Sequence, residues 1–144
     1  MHTTLGYVFM LVSGAISWQT KRQTSVACST TEAKYIAAAL ASREALWLSH
    51  LLHELRLPFS LSQAPLTLYA DNQSAISLAQ APALNAKTKH IAISYHFLKE
   101  LVEGGFLKLV YVCTHENWAD MITKGTTAGQ LDACCNGAGL LCSP

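Results

Sequence analysis

The run Leu66-Thr67-Leu68-Tyr69-Ala70-Asp71 constrains this chain most, because an apolar segment ends in a carboxylate just where a helix-type pattern, Asn72-Gln73-Ser74-Ala75-Ile76, begins. A strand that feeds a helix through an acid calls for a mixed α/β fold, with Asp71 at the strand tip. A carboxylate there has two uses. It can cap the helix by accepting its first free N–H groups, or it can project into a cleft and hold a metal ion. Capping is the commoner use of an isolated acid, so the flanking segments decide. They are Ser29-Thr30-Thr31-Glu32-Ala33, Lys89-His90-Ile91, Tyr95-His96-Phe97 and Asn117-Trp118-Ala119-Asp120.

A chain of 144 residues, 51% of them hydrophobic and 13% charged, is long enough for one domain with a real core. Its formal net charge of +1 provides no broad basic surface. Any contact with nucleic acid therefore falls to local clusters such as Lys21-Arg22 and Lys87-Thr88-Lys89-His90. Cys28, Cys113, Cys134, Cys135 and Cys142 are odd in number and lack the paired spacing of a disulfide framework, which favours a reducing compartment, the cytoplasm or the nucleus. A zinc site assembled from Cys113, His115, Cys134 and Cys135 is disfavoured by the adjacency of two of its thiols. The apolar stretch from Leu5 to Ile16 has no Lys or Arg before it and is too short to span a bilayer.

Local patterns place the elements. Strands over 6–12 and 15–19 flank a turn at Ser13-Gly14. The hydroxyls of Ser29, Thr30 and Thr31 open a long helix that stops before Pro58. Ile36, Leu40, Trp47, Leu51 and Leu55 form one apolar stripe on that helix, and Ala37, Ala41, Leu48 and Leu52 a second beside it, so it is expected to be central. Further expected elements are a strand over 66–70, a helix over 72–79, a helix over 90–103 closed by Gly104-Gly105, a strand over 106–113 and a short helix after Glu116. This order implies one sheet with flanking helices.

These residues carry a resemblance. The chain resembles the ribonuclease H domain at the C-terminal end of copia-type retrotransposon polyproteins, from Gly6 to about Lys124. The match takes in Gly-Tyr-Val-Phe at 6–9, Ile-Ser-Trp at 16–18, Lys21, Gln23, Ser-Thr-Thr-Glu-Ala at 29–33 and Arg-Glu-Ala-Leu-Trp-Leu at 43–48. It continues through Asp-Asn-Gln-Ser-Ala-Ile at 71–76, Thr-Lys-His-Ile at 88–91, Tyr-His-Phe at 95–97, Ala-Asp at 119–120 and Thr-Lys at 123–124. Each motif alone is weak, whereas the ordered series is specific.

The resemblance implies a ribonuclease-H-like mixed sheet with flanking helices, and hydrolysis of the RNA strand of an RNA/DNA hybrid by two magnesium ions. One Mg²⁺ lowers the pKa of an attacking water and the other stabilises the departing oxygen, so several carboxylates must converge. Asp71 matches the family's central Asp and Asp120 its last, whose ordinary alternative is a charge favouring a helix N-terminus. For the glutamate, the usual Thr-Glu-Ala-Glu-Tyr stands here as Thr31-Glu32-Ala33-Lys34-Tyr35. Glu32 is taken as the site residue because the Thr-Glu pair matches and a carboxylate is present. Position 34 is the alternative, since Ala37 then supplies the small residue that follows the glutamate in related enzymes, and Lys34 would put a cation where metal should bind. Lys87, Lys89 and His90 are assigned to the phosphate backbone, and His96 to a structural role.

The resemblance also marks departures. The chain has no carboxylate before Glu32, so the family's first Asp and its first, central strand are missing, and the expectation is a weakly supported fold with two open sheet edges. Ala92 replaces the usual acid after Lys-His-Ile, and Gly125 the usual Pro after Thr-Lys. The domain is set at 1–125, with 126–144 a divergent, poorly ordered tail. Three functions follow: a hybrid-cleaving domain working beside the reverse transcriptase portion of its polyprotein and inactive as this chain alone, a non-catalytic nucleic-acid-binding or interaction module, and a degenerate fragment.

Overall fold

A computed structural model describes residues 3–23, 29–56, 65–81 and 92–140. The chain divides into two compact units, one formed by 1–28 with 112–144 and the other by 29–111. No helix among the described residues is long and apolar enough to cross a membrane.

In the first unit, β1 (Thr4–Leu11) and β2 (Gly14–Arg22) form an antiparallel hairpin in which Leu11 pairs with Gly14. The two-residue loop is therefore Val12-Ser13, one position earlier than expected, with Gly14 already paired as strand. Pairing Phe9 with Ser17 but Met10 with Ala15 leaves Ile16 as the extra residue of a bulge. Two 3₁₀ turns, Thr114–Glu116 and Trp118–Ile122, stand where one short helix was expected. The Thr20 hydroxyl donates to the Ile122 carbonyl at 3.0 Å, which ties β2 to the second turn. Gly6 lies so close to Ile122 and Thr123 that a β-carbon there would overlap the Thr123 methyl group.

The expected poorly ordered tail is corrected over most of its length, because α4, the last helix in chain order, spans Ala128–Gly137. Thr127 caps it by accepting from the Gln130 N–H at 3.4 Å, and Gly139, at φ 70°, ends it. Burial of Cys134 and Ala138, and a bond from the Ala15 N–H to the Ala138 carbonyl at 3.1 Å, fix it to the hairpin.

In the second unit, α1 (Thr30–Glu54) starts on Ser29, whose hydroxyl accepts from the Glu32 N–H at 3.1 Å. After it come β3 (Leu66–Ala70), α2 (Gln73–Gln80), α3 (Ala92–Glu103) and β4 (Leu107–Tyr111). β3 and β4 pair in parallel, Leu66 with Leu107 through Ala70 with Tyr111, and α2 and α3 lie in the crossover between them. The end of α3 is a Schellman motif: Gly105 takes φ 73°, its N–H reaches the Val102 carbonyl at 3.2 Å, and the Phe106 N–H reaches the Leu101 carbonyl at 3.0 Å.

The core of this unit gathers Tyr35 and Ala39 of α1, Ala75, Ile76 and Ala79 of α2, Tyr95 and Leu98 of α3, and Leu107 and Leu109 of β4. Tyr35 and Tyr95 stack at 5.4 Å between ring centroids, and the Tyr35 hydroxyl donates to the Tyr95 carbonyl at 3.1 Å. β3 alternates, with Leu66, Leu68 and Ala70 half-buried and Thr67 and Tyr69 exposed.

Two expectations are corrected. The described strands form two separate two-stranded sheets, one antiparallel and one parallel, instead of a single mixed sheet. Each strand pairs with a single neighbour, and no described strand bridges the two sheets. On α1, the buried positions are mostly small, including Ala33, Ala39, Ala41, Ser42 and Ala45, while Trp47, Leu51 and Leu55 of the expected stripe are exposed. The reason is length. A helix of 25 residues runs about 37 Å, whereas a five-residue strand runs about 17 Å, so the described strands of the unit do not cover all of its apolar girth.

Candidate functional site around Asp71

Asp71 follows β3 directly, at the carboxyl end of a parallel pair, where α/β folds collect their ligand-binding side chains. The cap of α2 is supplied by its neighbour. The Asn72 side chain accepts from the Ala75 N–H at 2.8 Å, so α2 is capped without Asp71. The Asp71 carboxylate points instead to α1, where Oδ1 accepts from Lys34 Nζ at 2.7 Å. The Asp71 side chain is 7% exposed and that of Lys34 32% exposed, so the ammonium covers a nearly buried carboxylate from its wetter side. At this distance and burial the contact is a charge-assisted hydrogen bond, stronger than a neutral one.

Glu32 is also buried. It is the third residue of α1, its N–H bound to Ser29 Oγ, and Ser29-x-x-Glu32 spells a capping box. Two residues separate it from Lys34, or about 200° of helix, so the two side chains leave α1 on opposite sides. The residue that α1 delivers to Asp71 is Lys34.

Asp120 belongs to the first unit, inside the 3₁₀ turn Trp118–Ile122. Its side chain is 4% exposed, and Oδ2 accepts from Lys124 Nζ at 3.0 Å. The backbone carbonyl of Asp120 accepts from the N–H groups of Thr123 and Lys124 at 3.1 and 3.0 Å. Burial, and next the Asp120 charge, push the Cys134 thiol above its ordinary range, which keeps it protonated and unreactive. Cys113 is exposed and Cys135 half-buried. Lys87, Lys89 and His90 lie outside the described residues. His96 sits on α3 with its ring edge-on to Tyr95 at 5.9 Å, a packing contact.

A magnesium ion prefers oxygen ligands in octahedral array, commonly one or two carboxylates with water. At Asp71 an ammonium already occupies one carboxylate oxygen. Within either unit, no three His, Cys, Asp or Glu side chains among the described residues gather as a metal site would require. The donor set at Asp71 does not fit the magnesium that the resemblance implies.

The retrovirus-related Pol polyprotein from transposon TNT 1-94 of Nicotiana tabacum is 43% identical to this chain over 132 residues, covering 92% of the chain and 10% of that polyprotein. Those from transposons RE2 and RE1 of Arabidopsis thaliana are each 40% identical over 122 residues, covering 85% of the chain and 8% of theirs. No protein-family model matches the chain, and no solved structure does.

Proposed function

Because the chain belongs to the retrovirus-related Pol polyproteins of transposons, as a segment spanning about a tenth of their length, we propose that it is their ribonuclease-H-like domain and that its partner is an RNA/DNA hybrid. The observation that carries this reading is Asp71: an acid at the carboxyl end of β3, nearly buried, and relieved of capping by Asn72. A nearly buried strand-end acid, followed by the residue that caps the next helix, is placed where a site acid would stand. The ordered motifs from Gly6 to Lys124 support the same assignment.

RNA-strand hydrolysis is the family activity that the resemblance implies, with Glu32, Asp71 and Asp120 as the matching acids, and with the Lys34 ammonium on Asp71 this chain is read as inactive in it. Binding of the hybrid falls to Lys87, Lys89 and His90, since a net charge of +1 leaves phosphate contact to a local cluster. The reverse transcriptase portion of the same polyprotein is the proposed neighbour, inside the cell. A second reading, a module that holds hybrids without cutting them, is favoured by the Lys34 ammonium on Asp71.

The test is fluorescence anisotropy with a labelled RNA/DNA hybrid and the DNA duplex of the same sequence, across a salt series. Tighter binding of the hybrid is expected. The variant Lys87→Ala/Lys89→Ala should flatten the slope of log affinity against log salt by about two phosphate contacts' worth. Equal affinity for both duplexes, with an unchanged slope in the variant, would refute the assignment.

A further inference from the structure

We propose that Lys34 is a built-in counter-cation at Asp71, standing where a divalent ion would otherwise sit and closing that carboxylate to magnesium. Three observations carry this. Lys34 Nζ lies 2.7 Å from Asp71 Oδ1, and the Asp71 side chain is only 7% exposed. A buried carboxylate needs a positive partner, and a resident ammonium supplies it without metal. Both ends of the pair are also rooted in the same packed frame. Lys34 precedes Tyr35, which is fully buried, and Asp71 stands between β3 and the capped start of α2.

The geometry defines how to reverse the device. A glutamate at position 34 is about one bond shorter than lysine, so its oxygens would stop roughly 4 Å from Asp71. That gap matches two metal–oxygen bonds of about 2.1 Å each. Two carboxylates at that separation repel one another and are relieved by a divalent ion between them. One substitution thus turns an internal ion pair into a place for a hard cation, completed by water.

The experiment titrates Mn²⁺, and Mg²⁺ in competition with it, into the full chain, reading the free-ion paramagnetic resonance signal. Expected are no saturable binding in the wild type, saturable binding in Lys34→Glu that Mg²⁺ competes away, and its loss in Lys34→Glu/Asp71→Asn. Asp71-dependent binding by the wild type would overturn the proposal, and so would a folded Lys34→Glu chain that takes up no Mn²⁺. Should that variant fail to fold, Lys34→Gln removes the ammonium without adding charge. It must then show Asp71-dependent Mn²⁺ uptake, or the proposal fails. The inference does not depend on hybrid binding, so a chain that ignores hybrids can still pass this test, and one that binds them can fail it.

Discussion

Replacing Tyr35 with Phe should have an effect on stability that shrinks, and then cancels or reverses, as pH rises. Tyr35 is fully buried, its ring stacks on Tyr95 at 5.4 Å, and its hydroxyl donates to the Tyr95 carbonyl at 3.1 Å. Phenylalanine keeps the stack and the volume and loses only that bond, a net cost of about 1 kcal/mol near neutral pH. Burial, and next the Tyr95 phenol, push the Tyr35 phenol well above its ordinary range. In the unfolded chain the same phenol ionises near pH 10. Because its folded pKa is raised, its contribution is complete below about pH 10 and is lost as pH rises further, since only the unfolded state then releases the proton. At about pH 11 that release favours unfolding by roughly 1.4 kcal/mol, which exceeds the bond's contribution. Urea unfolding followed by far-ultraviolet circular dichroism at about pH 8 and about pH 11 should therefore show the wild type ahead by about 1 kcal/mol, then level with or behind Tyr35→Phe. Tyr7, Tyr69 and Tyr111, which lie outside this pair, are common to both proteins and cancel. A difference that stays constant across this range would refute the buried, protonated phenol.

Val12→Gly should raise stability by about 0.5–1 kcal/mol in the same urea assay, because Val12 holds φ 60° in the hairpin loop and is 82% exposed, so its side chain has little packing to lose. A lower midpoint would show that the valine is favoured there. Gly137→Ala should do the opposite of most helix substitutions: alanine ordinarily gains about 1 kcal/mol in a helix interior. Here its β-carbon would overlap the Trp118 indole, and overpacking costs about 1–3 kcal/mol. A net loss with altered indole fluorescence is expected, and a net gain would mean that the ring moves aside freely.

What was legible in the sequence was written in short-range signals. The hairpin turn, the Ser29 start of α1, the strand-to-helix switch at Asp71 and the glycine stop of α3 each depend on a few neighbouring residues, and each forms within a residue or two of its expected place. Two missed features were equally local. Ser29-x-x-Glu32 and Thr127-x-x-Gln130 are both capping-box spellings, and reading the second would have given the tail its helix. Asp71 as helix cap was an open alternative, closed only by the bond from the Ala75 N–H to Asn72. The remaining differences lie in distance along the chain. Lys34 and Asp71 are 37 residues apart and no periodicity brings them together; only the resemblance, with position 34 as its alternative site, pointed to a cation there. The buried side of α1 could not be chosen from hydropathy either, because its largest apolar residues, Trp47, Leu51 and Leu55, are not the covered ones.

The frame that holds Asp71 must come chiefly from helices. A two-stranded pair is marginal in water, and β3 and β4 pair over only five residues each. Support comes from the contact of Tyr35, Ala79, Tyr95 and Leu98, all buried to the last few square ångströms, where α1, α2 and α3 meet. Lys34 is bonded in sequence to one member of that cluster, and Asp71 continues the strand packed beside it. Removing charge at either position leaves those apolar contacts in place. The apolar frame is thus built separately from the ion pair, and the charge at position 34 decides what compensates the nearly buried Asp71 carboxylate, a resident ammonium or a cation taken from solution.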